Sequence, residues 1–157
     1  MSRFNLQEYL PYLLNRSAVR IVDTFTDDLR TVGITLPMWR ALAALRHGGP
    51  MRLGELAEVT SIEMSTLSRT VAAMSRKRLL SRTRSSSDAR AVHVALTHEG
   101  FALTERLIPS ALRCEAAALD GFTGAEVEML RSLLYRLYAN LQAETSEAPP
   151  PERRTGS

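Results

Sequence analysis

A chain of 157 residues, 45% apolar and 24% charged, has the size of one domain and material enough for a buried core. That balance excludes collagen-like, disulfide-stapled and wholly disordered chains, and no apolar run approaches the roughly 18 residues of a membrane span. The net charge of +3 hides an asymmetry: from Arg69 to Arg90 seven basic residues face one acid, Asp88, so this window carries +6 and the rest of the chain −3. Such a split points to nucleic acid, provided the window lies on one surface.

In chain order, Leu6, Leu10, Leu13, Leu14, Ala18, Ile21, Val22, Phe25, Leu29 and Val32 recur at steps of three and four, predicting a helix over about 6–32. Asn5 and Glu8 have capping-box spacing, Gly33 suits the C-terminal cap, and Pro11 marks a kink or a restart. Thr35 opens a second helix with Pro37 in its first turn, closed by Gly48-Gly49-Pro50. A brief helix over Leu53 to Val59, a turn at 60–63 and a helix from Met64 to about Arg78 follow, the last turning Leu67, Val71 and Met74 inward.

Two short helices joined by a tight turn make a helix-turn-helix. Ser65, Thr66, Ser68 and Arg69, in the first turns of its second helix, are short polar groups and a guanidinium fork that reach base edges or phosphates. The plainer reading of the same residues is helix capping. The period then changes to two: Leu80 to Arg84 and Ala91 to Leu96 read as strands, with Val92, Val94 and Leu96 on one face and a polar, arginine-flanked tip at 85–90. A hairpin directly after a helix-turn-helix is a wing, and its arginine suits the negative minor groove.

Thr97 caps a helix over about 98–119 that Pro109 should bend, and Thr123 with Glu126 caps another over about 124–143. Residues 144–157 are polar and proline-rich and read as a disordered tail. The expected fold is mainly α with a small β-wing. A winged helix-turn-helix over about 35–97 is flanked by long helices, expected to be dimerisation helices, with a larger monomeric helical core as the plainer reading, all in one domain spanning 1–143.

The chain resembles the multiple-antibiotic-resistance regulator (MarR) family of transcription factors. Asp88-Ala89-Arg90, then Val92 to Gly100, matches the D-x-R wing and the L-T-x-x-G start of the next helix. Leu36 to Leu42, Leu56-Ala57-Glu58 and Ser65 to Arg69 match in order. The resemblance implies a homodimer on double-stranded DNA with an inverted-repeat operator, most often a repressor and often released by a small ligand. It puts Ser65, Thr66, Ser68 and Arg69 in the major groove and Arg84, Ser86 and Arg90 on the wing. Asp88 would hold a wing arginine through a charge-assisted bond. One departure stands out: Arg78 occupies the place after the recognition helix where the family has glycine, and arginine resists positive φ.

For an effector, the resemblance points to the walls between the dimerisation helices and the winged domain. Tyr12, Arg16, Arg20 and Trp39 are the candidates there, suited to a small aromatic carboxylate. The competing reading has Arg20, Asp23, Asp27 and Arg30 as surface ion pairs and Trp39 as core. No cofactor or metal is expected, because His47, His93 and His98 lack a ligand-pair spacing. Ser85, Asp88 and His93 on a hairpin do not make a catalytic triad, so no enzyme is expected. Cys114 reads as a small apolar filler. The start of the chain lacks an apolar leader, so the expected location is cytoplasmic, with no membrane partner. The alternative function is a dimeric winged helix that binds proteins and not DNA.

Overall fold

The computed structural model describes residues 4–84 and 92–147. Its elements run α1 (Leu10–Thr31), α2 (Leu36–Gly48), β1 (Met51–Arg52), α3 (Leu53–Thr60), α4 (Met64–Arg76), β2 (Leu80–Arg84), β3 (Val92–Leu96), α5 (His98–Ala118) and α6 (Gly124–Glu147). The chain divides into two compact units, residues 1–118 and 119–157.

In the first unit every element from α1 to α5 contributes to one core. Phe25 and Leu29 of α1 meet Met38, Ala41, Leu42 and Leu45 of α2, Leu56 of α3, Leu67, Val71 and Met74 of α4, Val94 of β3 and Leu107 of α5. The inward triplet expected of α4 is the one observed, none of the three more than 1% exposed. Burying side chains of that size contributes about 1.5–3 kcal/mol each, which is why a helix of only 13 residues is stable here.

The sheet has the order β1-β3-β2, antiparallel throughout. Leu80 lies opposite Leu96 and Arg84 opposite Val92, and Met51 pairs with Val94 across the other edge of β3. Strands β2 and β3 fall where the alternating pattern put them, with Val94 fully buried and Val92 and Leu96 packed on the core. Strand β1 was not foreseen, since two residues cannot display a period.

The helix starts correct two expectations. Asn5 does not cap α1: its side chain accepts from Gln7 N (3.1 Å) in a separate turn, and α1 begins at Leu10 with Pro11 in its first turn. Proline is tolerated there because the first-turn N–H has no helical acceptor, so no kink is needed. The 144–157 tail begins too early, because α6 continues to Glu147. The expected Thr123–Glu126 box is present: Thr123 N donates to Glu126 Oε2 (2.8 Å) and Glu126 N donates to Thr123 Oγ1 (3.3 Å). The bond from Thr123 N holds the Glu126 carboxyl below its usual pKa.

The turn after α4 forms without glycine. Arg78 sits at φ 59°, with Leu79 N donating to Met74 O (3.0 Å) and Arg78 N to Ser75 O (3.0 Å), a Schellman closure. The L-T-x-x-G segment clamps that turn. Thr97 Oγ1 donates to Arg78 O (2.6 Å) and accepts from Gly100 N (3.0 Å), while Thr97 N donates to Leu79 O (3.1 Å). A Cβ on Gly100 would lie 2.0 Å from the Leu79 carbonyl oxygen, so glycine is required by this close approach. The α4–β2 corner is thus tied to the start of α5. Helix α5 itself runs unbroken through Pro109.

Candidate nucleic-acid interface

The turn between α3 and α4 is closed by Ser61 in the left-handed region (φ 52°), with Ile62 N donating to Ala57 O (3.2 Å). Helix α4 then presents its outer face. Helical spacing aligns residues 65, 69, 72 and 76 opposite the buried stripe of 67, 71 and 74. Ser65, Arg69 and Arg76 on that face are exposed, whereas Thr66 and Ser68 lie on its flanks and are half-buried. The expected set therefore divides: Ser65 and Arg69 face outward, and Thr66 and Ser68 border the core. Arg76 belongs with the outward pair, and its place two turns beyond Arg69 was readable from the helical period.

Glu63 is the residue the sequence reading missed. It is the N-cap of α4, and its carboxylate accepts from Ser65 N (2.9 Å), Thr66 N (3.1 Å) and the Ser65 hydroxyl. Those donors, the hydroxyl foremost, lower its pKa to about 2. Glutamate is not among the favoured N-cap residues, so no capping signature flagged it.

On the sheet, Ser81, Arg82 and Thr83 are exposed along β2, which ends at Arg84. Ser86, Asp88 and Arg90 lie outside the described residues, so the pairing expected of Asp88 with a wing arginine does too.

The residues named for an effector separate into two groups. Helices α1, α2 and α5 surround a cavity of roughly 220 Å³ lined by Ile21, Val22, Phe25, Leu36, Trp39, Arg40, Ala111 and Cys114. Trp39 lines this space and meets Phe25 edge to face at 5.0 Å. Arg20 borders an adjoining hollow with Thr24 and Ala117, and the two spaces share Ile21 and Cys114. Tyr12 and Arg16 line neither. Arg16 instead lies over the Tyr12 ring (5.4 Å) and donates to its hydroxyl (3.4 Å). Arg40, unforeseen, is the cation in the cavity lining. Of the anticipated surface pairs, Arg30–Asp27 forms (3.0 Å). Asp28, outside that anticipated set, accepts from Ser110 and pairs with Arg113 of α5.

A buried three-helix support, a polar recognition helix and a β-hairpin define a winged helix-turn-helix protein, the architecture of DNA-binding regulators. The sequence pattern of the MarR family matches residues 32–91. The MarR family transcriptional regulator SPO1453 from Silicibacter pomeroyi DSS-3 is 35% identical, covering 86% of this chain and 99% of that one at a TM-score of 0.72. BpsR of Bordetella bronchiseptica, whose DNA binding is regulated by 6-hydroxynicotinic acid, is 27% identical over 82% of this chain and 98% of its own, at a TM-score of 0.75. The transcriptional repressor MdtR of Bacillus subtilis is 26% identical across 87% of each chain. The chain belongs to the MarR family: it is a DNA-binding transcriptional regulator, and its relatives are regulators and not enzymes.

Proposed function

We propose that the chain is a homodimeric repressor that occupies an inverted-repeat operator, one recognition helix per half-site, and is released by a small aromatic carboxylate. The observation that carries the DNA reading is the outer face of α4, where Ser65, Arg69 and Arg76 stand exposed on a helix whose inner face is buried. Arginines there neutralise phosphate and fork onto guanine, which yields affinity and discrimination together. Thr66 and Ser68 contribute from the flanks of the helix, and Arg84, Ser86 and Arg90 from the wing, with Asp88 as the wing's internal anchor. The polarity of this face also argues against a surface devoted to protein partners, whose centres are apolar.

Dimerisation is supported by apolar side chains that the single chain leaves uncovered. In α6, Leu130, Leu133, Leu134, Tyr138 and Leu141 are all exposed, as are Leu6, Leu10 and Leu13 near the N-terminus. So much exposed apolar surface is unusual for a monomer and suits a symmetric contact. A two-fold pair would set the recognition helices about 34–36 Å apart, one turn of DNA.

Effector release is supported by the cavity between α1, α2 and α5, apolar apart from Arg40, with Arg20 beside it. An aromatic ring against Trp39 with its carboxylate on a guanidinium fits that lining. BpsR responds to an acid of this kind. The cavity is better placed for this than the Tyr12–Arg16 pair, and a cytoplasmic location follows from the DNA target.

A salt-titrated binding measurement on the chain's own upstream DNA tests the function. Specific binding as a dimer, with a steep salt slope, is expected; binding that ignores sequence would overturn it. Arg69→Ala should weaken operator binding more than random-DNA binding, and equal losses would make Arg69 a phosphate contact.

A further inference from the structure

We propose that Glu63 is a positioning residue for base recognition. By holding the Ser65 hydroxyl proton it makes Ser65 an acceptor, so that the start of α4 selects a base carrying an exocyclic amino group, adenine or cytosine, over guanine or thymine. This rests on the DNA-reading function above and adds the chemistry of one position within it.

A serine hydroxyl has one hydrogen and two lone pairs, and an ionised carboxylate only accepts. In the contact between Ser65 Oγ and Glu63 Oε2 the hydrogen therefore comes from the serine. Glu63 stays ionised at neutral pH, because the same three donors that hold it also depress its pKa to about 2. What the exposed Ser65 offers outward is its lone pairs. Beside it lies whatever acceptor capacity Glu63 has left after the Ser65 and Thr66 N–H groups. In the major groove the hydrogen-bond donors are the amino groups of adenine and cytosine, whereas guanine and thymine present acceptors.

The same contacts decide where the helix end can go. Helix starts commonly bind phosphate through free N–H groups and a positive dipole end. Here the Ser65 and Thr66 N–H groups are occupied by a negative carboxylate. Phosphate is repelled, and the end of α4 is left to approach base edges. One turn on, Arg69 offers only donors, suited to guanine. The outer face of α4 is therefore a reader of mixed polarity, acceptors first and donors after.

The test is selection of bound sequences from a duplex pool randomised across paired half-sites, using the full chain. The wild type should yield a motif with adenine or cytosine at one position per half-site, favoured roughly tenfold over guanine or thymine, as one lost hydrogen-bonded base contact implies. Glu63→Gln keeps an acceptor oxygen for the cap but brings an amide N–H that frees the serine proton. It should flatten that position alone and raise affinity for random duplex several-fold. Glu63→Asp should restore the preference, and Ser65→Ala should abolish it without the gain on random DNA. A Glu63→Gln motif identical to wild type would overturn the proposal. Uniform weakening at every position would overturn it as well, since that is the mark of a cap and nothing more. A wild type that selects no motif would overturn the DNA-reading function itself, and this inference with it.

Discussion

Helices α4 and α6 carry the same apolar period and meet different ends. In α4, Leu67, Val71 and Met74 are at most 1% exposed, whereas Leu130, Leu133 and Leu134 of α6 remain 38–45% exposed. Periodicity specifies which side of a helix is apolar, and says nothing about whether its own chain supplies the cover. For α4 the cover is α2, α3 and the sheet, held at a fixed corner. For α6 none of the residues whose burial is described is buried, and that exposed stripe is what supports the proposed contact with a second copy.

The largest expected effect falls where the winged helix is clamped. Gly100→Ala forces a Cβ against the Leu79 carbonyl, and should destabilise the chain by roughly 4 kcal/mol in urea unfolding, in the range reserved for backbone clashes and broken cores. Loss of under about 1 kcal/mol would mean the corner yields easily.

The comparison itself is tested by a matched pair. Leu67→Ala should cost about 3 kcal/mol. Leu133→Ala should cost less than about 0.5 kcal/mol when measured at a dilution where the chain is monomeric. At higher concentration Leu133→Ala should lower the native mass from twice 17.4 kDa toward the single chain, read by light scattering. Equal costs in the dilute chain would erase the distinction between the two helices.

A smaller effect of opposite sign is expected at Arg78. Its left-handed backbone (φ 59°) costs roughly 1–2 kcal/mol for a side chain with a Cβ. Part of that is offset because glycine loosens the unfolded chain. Arg78→Gly should therefore stabilise by about 0.5–1 kcal/mol, seen as a higher urea midpoint with an unchanged slope.

The smallest effect is a titration. Each helix has a glutamate at its start, the N-cap Glu63 of α4 and the first-turn Glu126 of α6, whose pKa is lowered by the groups that donate to it, Glu63 to about 2 and Glu126 in the same direction. A depressed folded pKa means the cap stabilises fully above the ordinary value of 4.5 and is lost as pH falls toward the folded one. Carbon-detected NMR of the Glu63 carboxyl should show a midpoint near 2; a midpoint at the ordinary value would mean that the three bonds do not persist in solution.

Much of the fold was legible because its signals are local. The inward triplet of α4, the alternation of Val92, Val94 and Leu96, and the Thr123–Glu126 box each depend on residues within a few positions of one another. Failures came where local signals compete or run short. Asn5 and Glu8 have the spacing of a cap but close a separate turn, because Pro11 fits best at a helix start. Strand β1 is too short to signal anything, and exists because β3 offers it an edge. At the interface, Ser65 and Arg69 follow from the period of α4, and Arg76 would have followed from extending it. Glu63 did not, since its role comes from where its side chain folds back and not from its type. Arg40 was invisible for another reason: a cavity wall is assembled by α1, α2 and α5 together.

The sequence by itself determined the helical faces, the wing strands and the concentration of positive charge between Arg69 and Arg90. These are set by side-chain period and charge, which belong to short stretches of chain. Only the tertiary structure decided that Thr97 and Gly100 lock the α4–β2 corner, that Arg78 adopts a glycine's conformation, and that Trp39 and Arg40 line one cavity while Tyr12 and Arg16 pair apart from it. Each of those outcomes depends on groups far apart in sequence arriving at one place. The α4 part of the +6 window was placed in the same way, when the core took one face of the helix and left Arg69 and Arg76 exposed on the other.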